Sequence, residues 1–185
     1  MAKKKAMIVC GGWEGHEPVL VSEFFKEILE ANNFEVEIQT DLACYDDLKK
    51  LLKLHLIVQV WTGGALTREQ TRAVVKAVAS GVGMAGVHGG MCDAFRGNVQ
   101  WEFMTGGTWV SHPGGAGNEY DVNIRNSTSS ITKGISDFHV KSEQYYLHVD
   151  PSVEVLASTR FPVVYGWHSP NGYFDMPVIW TRRWG

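Results

Sequence analysis

Apolar positions in the first half of the chain follow two alternating rhythms. Ala6 to Cys10 is an unbroken apolar run of the length of a buried strand. Pro18 to Asn32 instead repeats apolar residues at helical spacing: Val21, Phe24, Phe25, Ile28 and Leu29 share one face, opposite Glu23, Lys26, Glu27 and Glu30. Pro18 suits a first helical turn. Phe34 to Thr40 alternates apolar and polar like a strand. Asp46 to Leu52 predicts a short helix with Leu48, Leu51 and Leu52 inward, and Leu54 to Val60 a further strand. Thr67-Arg68-Glu69-Gln70 is a capping box opening a helix whose inner stripe is Val74, Ala77 and Val78, and Gly81 ends it. Met84 to Val87 reads as the fourth strand.

Strands alternating with helices predict an α/β fold, a mainly parallel sheet covered on both faces. The second half changes character. Tyr120 to Arg125, Tyr145 to Val149, Val153 to Ala157 and Met176 to Thr181 read as strands joined by loops, an antiparallel or mixed extension of the same sheet. No linker, repeat or low-complexity stretch divides the chain, so a single domain over residues 1–185 is expected.

Composition narrows the function classes. A chain of 185 residues can bury a sizeable core. Its net charge of −3 and scattered Lys and Arg argue against a nucleic-acid or membrane surface. The Lys3-Lys4-Lys5 cluster is followed by too short an apolar run for a leader, and no run approaches a membrane span. Cys10, Cys44 and Cys92 lie far apart, which implies neither a disulfide framework nor a cysteine metal knuckle and favours a reducing, cytoplasmic setting. Gly11-Gly12-Trp13-Glu14-Gly15 lacks the G-x-G-x-x-G spacing of a nicotinamide site.

Glycine pairs at 11–12, 63–64 and 89–90 each follow a predicted strand, where open α/β sheets bind ligands. The run Met84 to Gly90 ends in G-x-H-x-G. That is the strand-to-helix elbow that presents a nucleophile in many α/β enzymes, here occupied by His88 instead of Ser or Cys. His88 could serve as metal ligand, general base or hydrogen-bond donor; a histidine merely tied to nearby carbonyls is the competing reading. His112, in the glycine-rich Ser111-His112-Pro113-Gly114-Gly115 loop, and Glu143, in Ser142-Glu143-Gln144-Tyr145-Tyr146, are the other candidates for acid/base work. Gly12, Trp13, His16, Gly89, Gly90, Trp109 and Tyr145 are candidate substrate contacts, with Trp109 the better stacking residue than Trp61, Trp101 or Trp180, which read as packing. His55 and His139 read as structural, His139 lying in a polar connector.

Taken in order, Gly12-Trp13 through His16, Gly86-Val87-His88-Gly89-Gly90, Gly107-Thr108-Trp109 with His112-Pro113, Ser142 to Tyr146, and Pro177-Val178-Ile179-Trp180-Thr181 resemble the ThuA-like (trehalose-utilisation) family of the class I glutamine amidotransferase-like superfamily. The resemblance implies a three-layer, flavodoxin-like domain with its site at the elbow, and a link to disaccharide metabolism. Two departures matter. His88 stands where amidotransferases carry a thiolate, and Cys92, four residues on, is too far to attack a carbonyl held at the elbow, so glutamine hydrolysis is not expected. The sequence also stops at Trp184-Gly185, where similar proteins continue through another turn and strand.

Two functions lead, ahead of a weaker third, a degenerate amidotransferase-like hydrolase using Cys92. One is an enzyme of hydrolase or lyase type acting on a disaccharide or oxidised sugar, with His88, His112 and Glu143 around the reacting atoms. A divalent metal such as zinc would take His88 and His112 as ligands, although no H-x-x-x-H or H-E-x-x-H spacing exists. The other is a non-catalytic carbohydrate-binding or regulatory protein using the same cleft. A small-molecule sugar is the expected partner, and a homo-oligomer stays open.

Overall fold

The computed structural model describes residues 2–163 and 165–185. The predicted strands of the first half form one parallel sheet of β1 (Lys4–Gly12), β2 (Phe34–Gln39), β3 (Leu56–Thr62) and β4 (Gly83–Gly86), in the order β2-β1-β3-β4. Successive residues of a strand face opposite sides, so each strand feeds two cores. Ile8, Val58 and Val60 point to one face, covered by Val21, Phe25 and Leu29 of α1 (Pro18–Ala31). Met7, Val9 and Ile57 point to the other, covered by Val74 and Ala77 of α3 (Arg68–Ala79) and by Trp101 and Met104 of α5 (Val99–Thr105). The result is the expected helix–sheet–helix sandwich. Each fully buried side chain of this kind contributes about 1.5–3 kcal/mol.

Local signals explain the helices. The capping box of α3 is formed: Thr67 Oγ1 accepts from Gln70 N at 3.1 Å and Gln70 Oε1 accepts from Thr67 N at 2.9 Å. Helix α1 begins at Pro18, after Glu17 in a left-handed conformation. Its apolar stripe is wider than its contact with the sheet. Phe24 and Ile28, expected inward, are exposed together with Leu20, because Phe24 lies about 100° round the helix from Phe25, which is partly buried against the sheet. The second predicted helix shrinks to one turn, α2 (Leu48–Leu51), capped by Asp47 after a 3-10 turn at Leu42–Tyr45. Leu51 is buried as expected, whereas Leu52 faces out.

These elements, residues 1–105 with 184–185, form one compact unit, and residues 106–183 form a second. The second is antiparallel, as its loop-joined strands imply. Its strands hydrogen-bond among themselves and do not extend the ladder of the parallel sheet. β6 (Asn118–Ile124), β7 (Phe138–Ser142), β9 (Glu154–Phe161) and β10 (Phe174–Thr181) form a sheet ordered β10-β9-β6-β7, while β5 (Gly107–Ser111) pairs with β8 (Tyr146–Val149). His139 sits in β7, not in a connector, with Nδ1 2.9 Å from Asp121 Oδ1 on β6. Among the described residues, no helix is long and apolar enough to cross a membrane.

Candidate functional site

In the first unit the elbow is formed as the G-x-H-x-G pattern predicts. Strand β4 ends at Gly86, and His88 caps the single turn α4 (Gly89–Cys92) with φ 54° and ψ −138°. A positive φ is strained for any residue with a Cβ and costs on the order of 1–3 kcal/mol. The side chain held this way is exposed. Its ring meets that of His16 edge-on, centroids 4.6 Å apart, and Trp13 packs against the other side of His16 at the same distance. His16 ends the 3-10 turn Glu14–His16 after β1, and its Nδ1 lies 2.8 Å from Thr62 Oγ1 at the end of β3. That contact fixes the ring orientation and leaves Nε2 as the nitrogen not engaged by Thr62.

The glycines here answer to packing. A Cβ on Gly89 would lie 2.6 Å from His16 Cε1 and 2.9 Å from Thr62 Oγ1, and one on Gly90 would lie 2.8 Å from the Gln59 carbonyl oxygen. Gly12, at φ 83°, could carry a Cβ only by placing it 2.0 Å from the Thr62 carbonyl oxygen. Close approach of three strand ends, which brings the two histidines together, therefore requires glycine at all three positions.

The second unit gathers the remaining candidates. Pairing of β5 with β8 sets Trp109 opposite Leu147 and Ser111 opposite Tyr146, with an irregularity between Trp109 and Ser111. The segments flanking those strands are thereby brought together. His112 Nε2 lies 3.6 Å from Glu143 Oε1, an ion-pair distance when the imidazole is protonated. The carboxylate is the more enclosed partner, with 17% of its side chain exposed against 38% for His112, so it is the partner more sensitive to a neighbouring charge. Tyr145 lies nearly parallel to His112 with centroids 6.2 Å apart, and Trp109 approaches both rings at 5.6 and 6.3 Å.

Residues not singled out in the sequence hold this cluster. Tyr120 donates from its hydroxyl to the Glu143 carbonyl at 3.0 Å, and burial together with the Glu143 charge raises its phenol above the ordinary value. Gln144 is buried and donates to Thr159 Oγ1 at 2.9 Å and to the Arg160 carbonyl at 3.2 Å, pinning the segment to β9. Asn118 donates to the Pro113 carbonyl at 2.6 Å, and a Cβ on Gly114 would collide with its side chain. Thr62 and Tyr120 carry no recognisable motif, and Gln144 lies in the Ser142–Tyr146 motif with no role assigned to it; only tertiary contact shows what they do.

Cys92 is poorly placed to act as a nucleophile. It is buried on α4, and burial, with the Asp93 charge beside it, pushes its thiol up to about 12. The thiolate needed for attack is then scarce at neutral pH. Trp101 is core as expected, edge-on to Phe95 at 4.9 Å; His55 precedes β3 and is exposed rather than lying within an apolar strand, and it accepts a backbone hydrogen bond from Lys5 at 3.0 Å.

A parallel α/β sheet with a tight elbow at the carboxyl end of β4 defines a fold of the glutamine amidotransferase-like class. The fold resembles a glutamine amidotransferase from Thermotoga maritima at a TM-score of 0.51 and 11% identity, over 85% of this chain and 67% of that one. It is closer to ThuA-like proteins: one from Bacteroides uniformis, with TM-score 0.74 and 22% identity over 97% of this chain and 78% of the other, and one from Parabacteroides merdae, with TM-score 0.71 and 18% identity over 97% and 75%. The family model described as ThuA, trehalose utilisation, matches residues 5–185, and the chain belongs to that family. Membership supports a role in sugar metabolism. No curated protein matches the sequence.

Proposed function

We propose that this protein is a sugar-processing enzyme of hydrolase or lyase type acting on a disaccharide or an oxidised sugar derivative. The observation that carries the reading is the strained His88, whose exposed imidazole is backed by His16 and Thr62. An outlier of this kind persists only where surrounding structure enforces it, and such positions cluster at active sites. In this reading His88 acts as general base in the first unit, and His112, at ion-pair distance from Glu143, is the acid/base candidate of the second. Trp13 and His16 are the substrate contacts beside His88, and Trp109 and Tyr145 offer ring faces beside His112. No covalent nucleophile is required, which agrees with the buried thiol of Cys92.

A divalent metal such as zinc is the cofactor these donors would take, in which case His88 would serve as a ligand in place of acting as general base. The adjacent imidazoles of His16 and His88, the former held by a Thr62 hydroxyl, fit two ligand positions of a borderline cation. A catalytic zinc takes about three protein ligands, so this pair alone does not complete a site. When bound, such an ion would polarise a carbonyl or activate water.

The test is proton NMR of disaccharides and their oxidised forms incubated with the protein in deuterated buffer. Turnover or deuterium incorporation by the parent, abolished in His88→Ala and reduced in Glu143→Gln, is the expected result. No turnover by the parent, with saccharide affinity kept in His88→Ala, would instead establish the binding-only alternative.

A further inference from the structure

The first unit contains a concavity apart from the histidine site and unlike it in chemistry. It has a volume of about 470 Å³, within the range of small-molecule sites, and lies between the start of α3 and the loop that follows α4. Arg68, Arg72 and Arg96 line it, together with Thr71 and Asn98, and no acidic side chain does. Arg68 and Arg72 stand one turn apart on the same helix face and, among the described residues, neither has an ion pair or a side-chain hydrogen bond.

This arrangement works against helix stability. Two like charges at i and i+4 repel, and cations near a helix N-terminus oppose its macrodipole. The capping box already satisfies the first turn, so capping does not explain the arginines. The facing loop is built at a comparable cost. Phe95 adopts φ 54° and Gly97 φ 78°, while Phe95 itself is buried against Trp101. Gly63 N donates to the Asp93 carbonyl at 2.8 Å and Phe95 N to the Gly63 carbonyl at 3.1 Å, stitching the loop to the end of β3. The loop presents Arg96, whose guanidinium is oriented by a two-pronged contact with Asp93, and Asn98, which donates to Thr71 Oγ1 at 2.7 Å. A cleft lined by two guanidinium groups without an ion pair, with Arg96 held by Asp93 beside them and Glu102 engaged by Gly97 N at 3.0 Å, is suited to a dianion with several acceptor oxygens.

We propose that this cleft binds a phosphorylated small molecule, with the phosphomonoester between Arg68 and Arg72 and the organic part against Phe95 and Asn98. The assignment does not depend on the histidine chemistry. Isothermal titration of the whole chain with inorganic phosphate, glucose 6-phosphate and citrate, at constant ionic strength, tests it. Glucose 6-phosphate should bind more tightly than inorganic phosphate. Arg68→Ala and Arg72→Ala should each weaken it by about tenfold or more, the scale of a lost charge-assisted hydrogen bond. Both side chains are exposed, so these variants should keep the parent's denaturation midpoint. Arg72→Lys, which keeps charge but loses the planar fork, should fall between parent and Arg72→Ala. Absence of phosphate-ester binding at millimolar concentration, equal affinity for citrate, or binding lost in His88→Ala but kept in the arginine variants would each overturn the proposal.

Discussion

Replacing His88 by glycine and, separately, by alanine isolates the strain at the elbow. Both substitutions remove the imidazole and its contact with His16, so the difference between them reports the backbone alone. At φ 54° and ψ −138° a residue with a Cβ stores about 1–3 kcal/mol, which glycine releases. Glycine also gives the unfolded chain more freedom, at a cost of about 0.4–1 kcal/mol. The balance leaves His88→Gly more stable than His88→Ala by roughly 0.5–2 kcal/mol. At an unstrained position the order reverses, so the sign decides. Urea denaturation of the two variants, compared by midpoint and slope, measures it. A glycine variant no more stable than the alanine variant would show that the elbow is relaxed, and the inference from strain to function would fail.

Other consequences are equally specific. Gly89→Ala removes no functional group but pushes on the His16 ring and Thr62 hydroxyl; overpacking should destabilise the fold by about 1–3 kcal/mol. Ring-nitrogen NMR should show His16 displaced, and an unchanged spectrum would refute the packing argument. Tyr45 donates at 2.6 Å to Gln59 Oε1 in the core, so Tyr45→Phe strands a buried acceptor and should cost about 1–3 kcal/mol in chemical denaturation. Cys92 should resist iodoacetamide at pH 8 in the native protein and react once denatured, since its thiol is pushed up to about 12; rapid native labelling would contradict its burial. Asp150, hydrogen-bonded by Ser152 and paired with Arg182 at 2.8 Å, has its carboxyl lowered from 3.8 to about 2. A depressed folded pKa contributes stability that is present above 3.8 and lost as pH falls towards 2. Asp150→Asn should therefore flatten the acid limb of the stability profile in that window, and an identical limb would exclude the contribution.

The first half of the fold was legible because its signals are local. The alternation of strand and helix periods, the capping box at Thr67 and the proline at 18 each act within a few residues. The second half was less so. β5 begins in a glycine pair and β7 is short and mostly exposed, so neither shows a clean two-residue period; α5 buries only Trp101, Met104 and Thr105 of its seven residues. Periodicity also overstates contact, as Phe24, Ile28 and Leu52 show, because an apolar stripe does not reveal how much of itself the neighbouring layer covers.

Site residues divide along the same line. The elbow at His88 is a short-range pattern and could be read directly. The approach of His16 to His88 depends on three strands meeting at glycines, and the role of Thr62 exists only in that meeting. Likewise the contact of His112 with Glu143 follows from the register of β5 against β8 and from the anchoring of Gln144, neither of which is written in any one segment.

The proposed activity has His88 move a proton on a sugar. Solvent-deuterium exchange into disaccharides and their oxidised forms, followed by NMR for the parent and His88→Ala, tests that claim most directly. Exchange or turnover by the parent that vanishes in the variant is predicted. The same rate in both proteins would contradict it.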